Sequence, residues 1–79
     1  MPEPEPVGET TEYDNGKVKM TGLYLGDQMH GEWAWYRRDG SLMRTGAFDR
    51  GKQIGIWRTY DRAGRLVKET LFESSRPST

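Results

Sequence analysis

Nine side chains of this sequence combine the two chemistries that grip a flat or negatively charged ligand: Trp33, Trp35, Tyr36, Arg37, Arg38, Arg44, Trp57, Arg58 and Tyr60. Aromatic platforms interleaved with guanidinium groups stack bases and neutralise phosphates. Set on one face of a sheet, Trp33, Trp35, Tyr36, Arg37, Arg38, Trp57, Arg58 and Tyr60 would make an anchor for a protein partner, and they are the candidate partner-binding residues. The competing use of the rings is as the only core that so small a chain can build.

Other chemistry finds little footing. His30 is the only histidine, stands in an expected turn before Gly31, and cannot by itself make a metal site or a catalytic base. The few serines lie in turns or near the end of the chain, so no Ser-His-acid set can be assembled. Asp14-Asn15-Gly16 lacks the later ligands of a calcium loop. Gly51-Lys52 lacks the upstream glycine and the Ser/Thr of a phosphate-binding loop. Glu12 and Asp14 stand where no apolar pocket would raise a carboxylate pKa. There is no cysteine, hence no disulfide and no thiolate site. The expectation is a protein that is no enzyme, with no metal and no cofactor.

Composition narrows the class further. Seventy-nine residues make one small domain, and 33% hydrophobic residues with a mean hydropathy of −0.94 leave its core thin. The net charge of zero is unevenly spread. Residues 1–16 carry five acids (Glu3, Glu5, Glu9, Glu12, Asp14) and no base; the remainder carries all twelve Lys and Arg against seven acids, a net +5. A basic body behind an acidic leader can mark a nucleic-acid surface, or simply a solvated leader. The start, Met1-Pro2-Glu3-Pro4-Glu5-Pro6, has neither the basic residues nor the apolar run of a signal peptide, and no apolar stretch approaches the length of a membrane span. Both point to the cytoplasm and away from a membrane.

The elements that must position the aromatic residues show a period of two. Val18, Met20, Gly22 and Tyr24 alternate with Lys17, Lys19, Thr21 and Leu23, and Leu42, Arg44, Gly46 and Phe48 reproduce the first of these faces. Trp33 and Trp35 share one side of a strand restarted by Gly31; Ala34 and Tyr36 share the other. Turn signals fall at Asp14-Asn15-Gly16-Lys17, Gly26-Asp27-Gln28, Asp39-Gly40, Asp49-Arg50-Gly51-Lys52 and Ala63-Gly64. Residues 9–13 form a short edge strand on this reading, and residues 1–8 and 74–79 are disordered tails around a domain at 9–73. No segment carries a capped helical stripe.

A step of 24 residues runs through the chain. Gly16, Gly40 and Gly64 mark equivalent turns, Tyr24, Phe48 and Phe72 equivalent aromatics, and Val18, Leu42 and Leu66 equivalent apolar positions. Gly22/Gly46, Gly31/Gly55, Trp33/Trp57 and Tyr36/Tyr60 recur twice. A glycine within a strand is unfavourable unless something approaches the backbone closely, so Gly22 and Gly46 are expected beneath the ring of Trp33 or Trp57. The first copy also has what the second lacks: Trp35, replaced by Thr59, and the pair Arg37-Arg38.

At Gly22-Leu23-Tyr24, Gly31-Glu32-Trp33, Tyr36 and Gly40, and again at Gly46-Ala47-Phe48, Gly51-Lys52-Gln53-Ile54-Gly55-Ile56-Trp57, Tyr60 and Gly64, the chain resembles the MORN repeat family. It is most similar to the bacterial, YwqK-type antitoxin variant. The resemblance covers about residues 12–72, as two full repeats and a truncated third. It implies β-hairpin repeats in one elongated sheet and a binding or scaffolding role without catalysis, with a toxin as one possible partner. Gly26 stands one place earlier than its counterpart Gly51, and Thr70 stands where Gly22 and Gly46 predict glycine. Trp33 and Trp57 replace a glycine frequent in the eukaryotic branch.

The sequence therefore predicts an all-β, single-layer antiparallel meander of about six short strands, built from 24-residue hairpin repeats. Its expected function is protein binding through an aromatic and arginine face, with homodimerisation as one means of hiding a face or edge. Nucleic-acid binding by the basic, aromatic-rich face is the alternative.

Overall fold

The computed structural model describes residues 5–72. The expected tail 74–79 and residues 1–4 of the leader lie outside them. Six strands follow one another in sequence and in space: β1 (Val7–Glu12), β2 (Val18–Leu25), β3 (Gln28–Tyr36), β4 (Leu42–Asp49), β5 (Lys52–Tyr60) and β6 (Leu66–Phe72). Each pairs antiparallel with its chain neighbour, so the sheet is an open all-β meander in the order β1 to β6. The described residues contain no helix long and apolar enough to cross a membrane.

Two turn chemistries alternate along the sheet. At one end Leu25 pairs with Gln28 and Asp49 with Lys52, closing two-residue hairpins. Gly26 takes positive φ at the first loop position; in the second hairpin Arg50 (φ 49°) and Gly51 (φ 91°) both do. That difference of turn type explains why Gly26 sits one place earlier than Gly51. At the other end three-residue loops carry Gly16, Gly40 and Gly64 at φ 85°, 93° and 87°, and the N–H of each donates back to the carbonyl of Tyr13, Arg37 or Asp61.

These latter turns are laced together by contacts that also step by 24. The Tyr13 hydroxyl donates to the Tyr36 carbonyl at 2.8 Å, and the Arg37 guanidinium donates to the Tyr60 carbonyl. The side chains differ while the bond is equivalent. Arg38 pairs with Asp14 and Arg62 with Asp39 at 3.3 Å, the arginines 24 apart and the carboxylates 25.

The structure departs from the sequence reading in three places. β1 begins at Val7, not Glu9, because Val7 pairs with Tyr24 and extends the ladder. Gly31 lies inside β3 and does not begin it: at φ 77° it sits in a bulge where β3 sets Gly31, Glu32 and Trp33 against Gly22 alone, and Gly55 (φ 74°) does the same in β5. The third departure concerns Val18, Leu42 and Leu66. Thr11, Trp35 and Thr59 pair with Met20, Arg44 and Lys68, but the next residues, Glu12, Tyr36 and Tyr60, pair with Val18, Leu42 and Leu66. Lys19, Met43 and Val67 are thus extra residues, and such a bulge reverses the alternation beyond it. The three apolar residues therefore stand on the face opposite Met20, Arg44 and Lys68.

The molecule is a slab of 41 × 31 × 11 Å. Its Cα radius of gyration of 14.2 Å exceeds the roughly 11–12 Å of a compact domain this long. A sheet-on-sheet protein needs a further layer about 10 Å away, and the described residues supply none.

Candidate interaction surface

The core is one face of the sheet. Trp33 (2% exposed) and Trp57 (6%) are its two buried hydrophobic side chains. Trp33 lies on Gly22 and Trp57 on Gly46, so closely that a methyl group on either glycine would stand 2.0 or 2.2 Å from the indole. Tyr24, Trp33, Phe48, Trp57 and Phe72 continue across five strands in edge-to-face contacts with centroids 5.1–6.3 Å apart. Both indole N–H groups are satisfied by carbonyls beside the bulges, Leu23 at 3.0 Å and Ile54 at 3.1 Å. The bulge glycines therefore do two jobs, re-aiming the tryptophan and freeing its acceptor.

Trp35 fills the gap between the two copies. Its ring lies near-parallel to Trp33 (29°, 6.1 Å) and to Trp57 (30°, 5.3 Å), and it meets Phe48 edge-on. Arg44 stands over Trp57 at 5.9 Å.

The eight residues expected at one partner-binding face do not share a face. Trp33 and Trp57 are occupied as core, and Trp35 is wedged between them. Arg58 is on the opposite side, where it pairs with Glu69 at 2.8 Å across β5 and β6. Alternation along β3 and β5 places Tyr36 and Tyr60 on that side too. Arg37 is at the turn end and donates to Ser41 Oγ, the Leu42 carbonyl and the Tyr60 carbonyl. Arg38, in the same turn, is held by Asp14. Intercalating stripes of ring and free guanidinium are absent among the described residues because most arginines have carboxylate partners.

His30 lies in β3 and not in a turn, and its Nδ1 accepts the backbone N–H of Arg50 at 3.1 Å. That N–H belongs to the strained hairpin between β4 and β5, so the histidine ties two repeats together.

The second face was not singled out by the sequence reading. Small residues run across its middle: Gly8 and Thr10 on β1, Thr21 on β2, Ala34 on β3, Thr45 and Ala47 on β4. They floor a shallow open groove of about 910 Å³ walled by Leu23, Ile56 and Arg58. Leu23, Ile56, Leu66 and Leu71 are 37%, 45%, 49% and 70% exposed. A second hollow of about 510 Å³ beside it is lined by Thr10, Val18, Thr21 and Tyr36. The signal was available in the alternation itself, which puts Leu23 and Ile56 out of phase with every tryptophan and in phase with Tyr36, Arg58 and Tyr60.

No protein-family profile, curated protein or solved structure matches this chain.

Proposed function

We propose that this protein is a non-enzymatic protein-binding module, a short MORN-like β-repeat array of the bacterial antitoxin-like kind, acting in the cytoplasm. The observation that carries the reading is the uncovered face of Leu23, Ile56 and Leu71, whose exposure contrasts with the buried tryptophans on the other side. Exposed apolar surface set among charges marks an interaction site; here Glu32 on β3 and the Arg58–Glu69 pair share the face with these residues. The docking surface thus moves from the rings to the small-residue face. A toxin as the partner is implied by the resemblance alone.

The nucleic-acid alternative rests on the +5 body. It is weakened by the pairing of Arg38, Arg50, Arg58, Arg62 and Arg65 with carboxylates. Capture from a lysate by the wild-type chain and by Ile56→Glu tests the primary reading. A protein retained by the first and lost from the second is the expected result. Identical retained sets, together with salt-dependent binding of a labelled single-stranded RNA at micromolar protein, would replace it by the alternative.

A further inference from the structure

We infer that the two outer edges of the sheet meet: β1 of a second copy of this chain adds antiparallel to β6, so that copies join head to tail in one continued sheet. This goes beyond the protein-binding reading and uses the edges of the sheet, not its small-residue face.

The registers carry the argument. The hairpins β1–β2, β3–β4 and β5–β6 pair identically: Val7, Gly31 and Gly55 oppose Tyr24, Phe48 and Phe72, and Thr11, Trp35 and Thr59 oppose Met20, Arg44 and Lys68. The seams between hairpins repeat as well. Met20 opposes Trp35 as Arg44 opposes Thr59, and Thr21 opposes Ala34 as Thr45 opposes Arg58. β1 is therefore the equivalent of β3 and β5, and β6 that of β2 and β4. Among the described residues the outer edges of β1 and β6 have no neighbour, and an unpaired edge is a template for another strand. One more step of 24 residues sets the second copy's Thr11 opposite Lys68 and its Thr10 opposite Glu69.

The residues that break the repeat break it together. At the internal seams a tryptophan lies on a glycine, and a positive-φ glycine makes the bulge beside it. At the outer edges Thr70 replaces the underlying glycine, Glu9 the tryptophan and Val7 the bulge glycine. β1 accordingly pairs without a break from Val7 to Thr11. The new seam then runs on regularly, with Thr70, Leu71 and Phe72 opposite the second copy's Glu9, Gly8 and Val7.

Side-chain chemistry agrees with this register. Of the six large apolar side chains left exposed, four (Val7, Leu66, Val67 and Leu71) lie on the edge strands, where pairing covers them. The second copy's Val7 meets Phe72, at the end of the row of rings, and Leu71 gains the open side of the second copy's Gly8. The second copy's Glu9 stands diagonal to Lys68 on the same face, a separation that long side chains bridge. Positions 14 and 38 already pair across the first seam, and the same step places Arg62 beside the second copy's Asp14. Residues 1–16 carry five acids and no base, whereas Arg62, Arg65 and Lys68 mark the other end, so the edges attract while the net charge of zero spares a growing array from repulsion. Such a contact is heterologous and stays open-ended unless its rotation closes a ring.

The test is the mass of the purified full chain by sedimentation velocity from about 5 to 500 µM, where a small interface of micromolar affinity fills. The weight-average mass should climb with concentration past twice the 9.1 kDa protomer. Lys68→Glu and Glu9→Lys, both at exposed positions, should each weaken association at least ~5-fold by setting like charges diagonally. An equimolar mixture of the two should restore it, since every seam of an alternating array again joins opposite charges. Far-UV circular dichroism checks that the variants remain folded. Should either fail to fold, the cysteine-free chain permits a second measurement: Thr11→Cys and Lys68→Cys proteins, mixed and oxidised, should cross-link to each other and neither to itself. A monomer throughout the range overturns the inference, as do variants that associate like the wild type or a mixture no better than its components. A mass fixed at twice the protomer, or Lys68→Cys protein that links to itself, replaces the head-to-tail order by a two-fold pair. A monomer that still captures a protein through Ile56 overturns the edge pairing alone and leaves the protein-binding reading standing.

Discussion

Trp33 rests on Gly22 so closely that a Cβ there would lie 2.0 Å from Cδ2 of its indole, and Trp57 repeats the contact on Gly46 at 2.2 Å. In each case the ring reaches back over the preceding strand. β6 would offer its own equivalent position to a further tryptophan, but Thr70 occupies it. β1 has Glu9 where β3 and β5 have tryptophan. Threonine in place of glycine is thus the residue expected on a strand that no ring covers.

Gly22→Ala and Gly46→Ala should each destabilise the fold by about 3–5 kcal/mol. The added methyl cannot coexist with the indole, so the tryptophan must leave its site and its burial is lost. Gly8→Ala is the control, since its Cβ would meet only Leu23 at an ordinary 4.0 Å. Urea denaturation followed by tryptophan fluorescence measures all three. Equal midpoints for Gly8→Ala and Gly22→Ala would refute the assignment of Trp33 to the core.

Trp35→Thr converts the first copy into the second, where Thr59 stands. Trp35 makes near-parallel contacts with Trp33 and Trp57 and an edge contact with Phe48. Such contacts are worth ~0.5–1.5 kcal/mol each beyond area burial, so a loss of about 2–3 kcal/mol is expected. The near-UV circular dichroism of the coupled indoles should collapse at the same time. A stable variant with an unchanged near-UV spectrum would show that the ring is not part of the stack.

Much of this architecture is legible in the sequence, because turns and ring-over-glycine contacts each demand particular residues. Gly16, Gly40 and Gly64 announce left-handed turn positions, and Gly22 with Trp33 announces a close approach. The bulges at Lys19, Met43 and Val67 are not legible, since an extra residue leaves the local alternation looking intact. That is why Val18, Leu42 and Leu66 were assigned to the wrong face. Arg37 was read as a free ligand because its acceptor, the Tyr60 carbonyl, is a neighbour only through the stagger of successive repeats. Trp33 and Trp57, valued for their chemistry, are consumed by packing, which is why the proposed docking surface lies on the other face.

Arg50→Asn should raise stability by about 0.5–1 kcal/mol. Arg50 is the only non-glycine among the described residues held at positive φ, at 49°. Asparagine tolerates that region and is favoured at the first position of this hairpin. Its loss of the exposed contact to Asp49 costs little, and the backbone N–H to His30 is retained. Thermal melts should show a rise of a few degrees. A lower midpoint would mean that the arginine side chain contributes more than its backbone strain costs.

Asp39 and Asp61 should set part of the acid limb of stability. The Asp39 carboxylate is held below the ordinary aspartate value of 3.8 chiefly by the backbone N–H of Ser41, then by the Ser41 hydroxyl and by Arg62 and Arg37. Asp61 is held below 3.8 chiefly by the backbone N–H of Arg65, with the Ala63 N–H and the Arg65 guanidinium adding to it. A folded-state value below the unfolded one means that the stabilisation is fully present above pH 3.8. It is lost as pH falls from there through the lower folded value, because the unfolded chain then binds the proton more readily. Asp39→Asn and Asp61→Asn keep an acceptor for the backbone N–H but cannot titrate. Each variant should therefore lose less stability than the wild type between pH 4 and pH 2, and the double variant least. Urea midpoints across that range decide the matter: parallel curves for wild type and double variant would place the acid sensitivity on other carboxylates, while a flattened curve assigns it to the two turns that face each other across Arg37.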